Sequence, residues 1–171
     1  MFGGGKAQIS YLKFDMEMLS LKCDKPEAYT GSTFYVKFVL GRLAHKSQDY
    51  TFESNLVEMK EAAYEGVSGF ILDKNFEWQT KRCYFKVYQA EQGKKHKKIG
   101  EKKHDVAQYI IPADDSTELQ ITSDIAITFK IGFSIADPKL HEPLFRAANA
   151  VEAGGSENTS LIINKLSVVT G

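Results

Sequence analysis

At 171 residues and 19.2 kDa, the chain has room for one domain and a short tail, and it buries enough surface on folding to need neither a structural metal nor a disulfide. Hydrophobic residues make up 43% and charged residues 26%, the balance of an ordinary soluble globular protein, while eleven Phe and eight Tyr against one Trp favour strands over helices. Two cysteines, Cys23 and Cys83, exclude a disulfide framework and a zinc site. The formal net charge is zero.

Taken in chain order, the opening "MFGGGKAQIS" lacks the apolar centre of a signal peptide, and no run is long enough for a membrane span. The expected location is therefore the cytoplasm. Residues 1–7 read as a flexible start. From residue 8, period-two alternation takes over. In "YLKFDMEML", Leu12, Phe14, Met16 and Met18 share one face and Lys13, Asp15 and Glu17 the other. A turn follows at Asp24, Lys25, Pro26 and Gly31, and then "STFYVKFVL" puts Phe34, Val36, Phe38 and Leu40 together. Residues 41–55 are polar, with a short strand expected at 50–52.

The next stretch, "NLVEMKEAAYE", suits a short helix until Gly66 and Gly69 interrupt it, and "GFIL" reads as a strand. "TKRCYFKVYQ" sets Cys83, Phe85 and Val87 against Arg82, Tyr84, Lys86 and Tyr88. The clearest strand is the last, where Ile125, Ile127, Phe129, Ile131, Phe133 and Ile135 alternate with smaller or polar residues. Short half-buried strands with turns between them predict an all-β antiparallel sandwich. From residue 137 the composition changes. Pro143 is placed to open a short helix through Val151, and Gly154-Gly155-Ser156 precedes an apolar patch containing Leu161, Ile162, Ile163 and Leu166. Residues 137–171 are expected to form an extension outside the sandwich, helical in part or disordered. Its apolar patch suits a partner-docking strand or helix face, or packing back on the sandwich.

One segment stands out by charge. "QGKKHKKIGEKKHD" holds Lys94, Lys95, His96, Lys97, Lys98, Lys102, Lys103 and His104 with one Glu101. Removing residues 94–104 leaves 16 basic and 21 acidic residues, a net of −5. The neutral total hides a segregated molecule that a surface of one sign would orient.

Four stretches in this order resemble the NT-C2 domain, the N-terminal C2 class of EH-domain-binding proteins, early-estrogen-induced-gene products and plant plastid-movement proteins. They are "YLKFDMEMLSL", "GSTFYVKFVLG", "FEWQTKRCYFKVYQAEQGKKHKKIGEKKHDVAQYI" and "SDIAITFKIGFSI". The family signature is matched by Ile99, Gly100, Asp105, Ala107 and Tyr109, with Val106 in place of the usual leucine and Lys102 where a hydrophobic residue is usual. The resemblance spans residues 8–136. It implies an eight-stranded C2-like sandwich, no catalysis, and a role as a membrane- or partner-targeting module.

Calcium needs six to eight oxygen ligands, mostly carboxylate. The loops here offer Asp24 and Glu27 on one side and Glu91 beside lysines on the other, so no metal site and no cofactor are expected. Catalysis is not expected either. Gly93-Lys94-Lys95 is no phosphate loop, "GVSG" is no nucleophile elbow, and His45, His96, His104 and His141 have no metal or nucleophile spacing.

Three readings of the lysines stand side by side: a solvated loop or hairpin, a docking site for anionic phospholipid, or a site for an acidic protein surface such as a cytoskeletal filament. Nucleic acid is disfavoured, because the cluster has no arginine and no interleaved aromatic. Lys94, Lys95, His96, Lys97, Lys98, Lys102 and Lys103 are thus the candidate lipid- or partner-binding residues of a calcium-independent adaptor, peripheral on a membrane or associated with the cytoskeleton. Leu161, Ile162, Ile163 and Leu166 are the candidate docking tail. The rival is a structural subunit of a larger cytoskeletal or trafficking assembly that binds no lipid.

Overall fold

A computed structural model of the chain describes residues 7–91, 93–110 and 116–136. Nine strands form two antiparallel sheets: β1 Gln8–Cys23, β2 Thr33–Leu40, β3 Leu43–Lys46, β4 Leu56–Glu58, β5 Tyr64–Leu72, β6 Arg82–Ala90, β7 Lys97–Asp105, β8 Thr117–Gln120 and β9 Ile125–Ile135. One sheet runs β3-β2-β6-β7. The other runs β4-β1-β9-β8, with β5 also on β1. Because β9 takes one flank of β1 along residues 12–23, β5 and β4 share the opposite flank, at residues 8–16 and 20–22. This is the expected all-β antiparallel sandwich, with nine strands among the described residues where eight are expected. Residues 1–6 and 137–171, including the apolar tail patch, lie outside the described residues.

Alternation is the cause of this architecture. Side chains of a strand point to opposite faces, so every second residue of β1, β2, β6 and β9 enters one shared layer. Phe14, Phe38, Phe85 and Phe129 are fully or almost fully buried there. Phe85 links the two sheets, with its ring centroid 5.3 Å from Phe38 and 4.7 Å from Phe129. The phase in β1 slips at a bulge between Met18 and Ser20. One extra residue moves the buried set from Met16 and Met18 to Leu21 and Cys23.

Several local expectations change. No helix covers residues 55–65; Leu56–Glu58 and Tyr64–Leu72 are strands, because β1 offers both a free flank that pairs their main chain. The expected strand at residues 50–52 shrinks to a single bridge between Tyr50 and Phe34, while β3 and β8 are additions. "DVAQYI" contributes a 3-10 turn, Ala107–Tyr109.

Candidate functional site

The lysine segment is built as a hairpin. Gly93 takes a left-handed φ of 77° in the β6–β7 connection, a conformation that costs little only without a Cβ. The chain re-enters the sheet as β7 at Lys97, so of the expected loop or hairpin it is the hairpin that forms, with its connection ending at His96. Lys97, Lys98, Lys102 and Lys103 stand on an edge strand instead. Strand structure tolerates this charge because β6 pairs the main chain while the side chains reach water.

Strand periodicity then divides the cluster. Opposite partners across a ladder share a face, so Lys98 opposite Tyr88 and Lys103 opposite Tyr84 belong to the outer face of this sheet. Lys102, opposite the core residue Phe85, and Lys97, opposite Gln89, point the other way at the rim, and both remain exposed. Lys94, Lys95 and His96 are exposed on the connection. His96 Nδ1 lies 2.9 Å from the Tyr35 hydroxyl, which ties the connection to the outer face. Gln89, Glu91, Lys94, Lys95 and Lys97 line a small cavity of about 150 Å³.

The same face gathers cations from other strands. Lys37 on β2 stands directly opposite Lys46 on β3 and Lys86 on β6, so three lysines occupy adjacent positions across three strands. Like charges in that relation oppose folding. The next position in the row, Glu101, ion-pairs with Lys86 at 3.6 Å and Lys98 at 3.5 Å. Lys37, Lys46, Lys95, Lys97, Lys102 and Lys103 have no ion-pair partner among the described residues. Tyrosines stand between these cations. Tyr35 and Tyr88 stack with centroids 5.1 Å apart, Lys46 Nζ sits 4.2 Å over the Tyr35 ring, and Lys86 Nζ sits 5.9 Å from the Tyr84 ring. Tyr35 is buried on this face, and its hydroxyl pKa is raised, first by that burial and then by Tyr88 and Asp49.

The sequence reading missed Lys37, Lys46 and Lys86 as members of the site. The alternation that set Arg82, Tyr84, Lys86 and Tyr88 apart from the core was the usable signal for one of the three. The face also places Arg82, Tyr84 and Tyr88 among the lysines, so the absence of interleaved aromatics and arginine holds along the chain and fails in space.

The residues that carry the family resemblance have structural work to do. A Cβ on Gly100 would come within 2.2 Å of Thr122 Cγ2, so a larger residue there would have to displace the Thr122 side chain in the β8–β9 connection. The Asp105 carboxylate accepts hydrogen bonds from the Lys81 and Ala107 main-chain amides, each at 3.0 Å, and so fixes the 3-10 turn. His104 Nε2 is 2.5 Å from the Tyr109 hydroxyl, with the His104 ring edge-on to Phe129 at 5.9 Å.

Burial lowers the His104 pKa below that of a free imidazole; Asp105 opposes the shift and Lys102 reinforces it. Because the unfolded chain binds this proton more readily, protonation penalises folding. The contribution is intact above the unfolded value of about 6.5 and is lost as pH falls through the lowered folded value. Thermal midpoints should therefore drop between pH 7.5 and pH 5.5, and His104→Gln should flatten part of that drop. An unchanged slope in the variant would assign the acid sensitivity to other groups.

At the end of the sandwich that carries Asp24 and Glu91, the Asp24 amide donates to the Asp124 carbonyl at 2.9 Å, and Glu91 pairs with Lys94 at 3.0 Å. Among the described residues, no three His, Cys, Asp or Glu side chains are grouped to hold a metal ion. Nor is any described helix long and apolar enough to cross a membrane. Cys23 and Cys83 are buried free thiols, and burial pushes the Cys83 pKa up to about 12.

A two-sheet antiparallel sandwich with this topology defines the C2-type fold, and solved structures bear that out. A structure titled as that of a C2 domain matches with TM-score 0.51 and 9% identity, over 72% of this chain and 99% of the other. A C2 domain of plant extended synaptotagmin 1 matches with TM-score 0.52 and 14% identity, over 75% and 96%. The paired C2 domains of extended synaptotagmin 2 match with TM-score 0.52 and 13% identity; 84% of this chain is covered, and it spans 47% of that one. No family model and no curated protein sequence matches.

Proposed function

We propose that the protein is a non-enzymatic, calcium-independent C2-type adaptor of the NT-C2 class, and that the outer face of β3-β2-β6-β7 docks on anionic membrane lipid from the cytoplasmic side. The observation that carries the reading is the row of Lys46, Lys37 and Lys86. Like-charged residues directly opposite one another work against the fold, Glu101 offsets only Lys86 of the three, and a surface of negative charge would relieve the row. Lys98 and Lys103 extend the face, and Lys94, Lys95 and His96 give it a protruding lip. Near an anionic leaflet each lysine contributes on the order of 1 kcal/mol, and screening reduces the sum. The outcome is reversible, salt-sensitive attachment.

Lys97 and Lys102 have a second use. An edge strand exposes unpaired main-chain groups that invite another chain, and charge pointing to the core side of the rim discourages such pairing. These two residues guard the edge as well as adding field.

Vesicles of phosphatidylcholine with phosphatidylinositol bisphosphate should retain the full chain in calcium-free buffer of low ionic strength. About 0.5 M salt should release it, and added calcium should change nothing. Retention by pure phosphatidylcholine, or retention only with calcium, would refute the proposal. An oligonucleotide competitor tests the phosphodiester alternative, since displacement at lower concentration than soluble inositol phosphate would move the reading to nucleic acid. Deleting residues 137–171 separates the rival assembly role. Docking by the sheet face expects unaltered vesicle binding, whereas assembly through the tail expects loss of co-purifying partners.

A further inference from the structure

The five-stranded sheet, on the other side of the sandwich, has an outer face that is apolar at one end. Ile9 is 54% exposed, Val67 49% and Tyr11 45%. The register sets Ile9 opposite Ile71, Tyr11 opposite Gly69 and Lys13 opposite Val67, so these side chains form one patch. With no side chain on Gly69, Ile9 and Tyr11 close over its backbone, and a Cβ there would lie 3.5 Å from each.

The patch is continuous with an open strand edge. The Ile71 carbonyl accepts from the Gln79 amide at 2.8 Å, on the flank away from β1. Antiparallel alternation aims the main-chain groups of Gly69, Val67 and Glu65 to the same flank, where no strand pairs with them among the described residues. β7 carries lysines along its edge, but this stretch of β5 carries no lysine and no proline. Such an edge is a template for strand addition.

We propose that residues 161–169 of the same chain, "LIINKLSVV", add to this edge of β5 beside Val67 and Gly69 and extend the apolar face by one strand. The segment has the β-branched and apolar composition that strands prefer. Where the chain departs favours it over a second copy. β9 ends beside β1, with the Ala136 amide 3.4 Å from the Tyr11 carbonyl, so the last described residue stands at the border of the patch. Three strand spacings of about 4.8 Å separate that point from the open flank. A flexible chain as long as residues 137–160 has a root-mean-square span of about 25–29 Å. A tether of that reach supplies its own end at roughly millimolar effective concentration, which a second copy at micromolar concentration cannot equal. The cationic face lies on the opposite sheet and stays free.

Disulfide trapping in the full chain tests this. Val67→Cys is combined with Ile163→Cys or with Leu166→Cys, which cover both strand faces of the segment. Lys103→Cys with the same partners is the control on the opposite sheet. Cys23 and Cys83 are buried and give no background. Mild oxidation should yield a monomeric cross-link in at least one Val67 pair and none in the control pairs. Hydrogen exchange supplies the second readout. Ending the chain at Ser160 should accelerate exchange at the Glu65, Val67 and Gly69 amides at least tenfold. Equal cross-linking in control pairs, cross-links only between copies, or exchange indifferent to the deletion would each overturn the proposal.

Discussion

Replacing Lys94, Lys95, Lys97 and Lys98 together by Glu is expected to abolish retention on phosphoinositide vesicles at low salt while leaving the thermal midpoint nearly unchanged. Four exposed lysines at on the order of 1 kcal/mol each, discounted for screening, amount to about 3 kcal/mol, or roughly 100-fold in affinity. Reversal adds repulsion, so the loss should exceed that factor. Stability is spared because all four side chains are exposed, and the Lys94 and Lys98 ion pairs lie at the surface, where such pairs contribute little.

A companion variant draws on the register. Lys37→Gln with Lys86→Gln removes two members of the opposed row. It should weaken vesicle binding about tenfold and leave the thermal midpoint little changed, since relieved repulsion between adjacent strands is offset by loss of the Lys86–Glu101 ion pair. If the quadruple variant binds as well as the parent, lysine docking is wrong. If only the companion binds normally, the lip acts without the face.

The largest effect on stability is expected from Phe85→Ala. Its ring is fully buried between Phe38 of its own sheet and Phe129 of the other, so truncation leaves a cavity in the layer that joins the sheets. Phe→Ala at such sites costs about 3–5 kcal/mol, a large part of the ~5–15 kcal/mol that holds a domain together. The thermal midpoint should fall by about 10–15 °C. Lys103→Ala, on the neighbouring strand with an exposed side chain, should stay within about 0.5 kcal/mol of the parent. Similar costs for the two variants would mean that the inner and outer faces of β6 and β7 are wrongly assigned.

The sandwich was legible because its core strands alternate without interruption, and Phe34, Val36, Phe38 and Leu40, or Ile125 through Ile135, permit one orientation each. Legibility stopped where local pattern gives way to pairing. β3 and β8 are four residues long and exist because β2 and β9 present free flanks. The bulge at Leu19 shifts the buried set of β1 by one residue, which composition does not announce.

The site divides the same way. A run of lysines is visible in any reading, but sequence proximity overstated its unity. Lys97 and Lys102 face away from Lys98 and Lys103 once β7 is a strand. Lys37 and Lys86, 49 positions apart in the chain, become direct neighbours only through the β2–β6 register. Which residues meet across a ladder is a property of register, and register is set by the whole sheet.

The most direct measurement is lysine reactivity on the vesicle surface. The full chain, bound to phosphoinositide vesicles without calcium, is pulsed with an amine-acetylating reagent and compared residue by residue with free protein. Docking by the cationic face predicts protection of Lys37, Lys46, Lys86, Lys98 and Lys103, while Lys13, Lys22 and Lys130, exposed on the opposite sheet, react as in solution. Equal protection of both sheets, or protection confined to Lys13, Lys22 and Lys130, would contradict it.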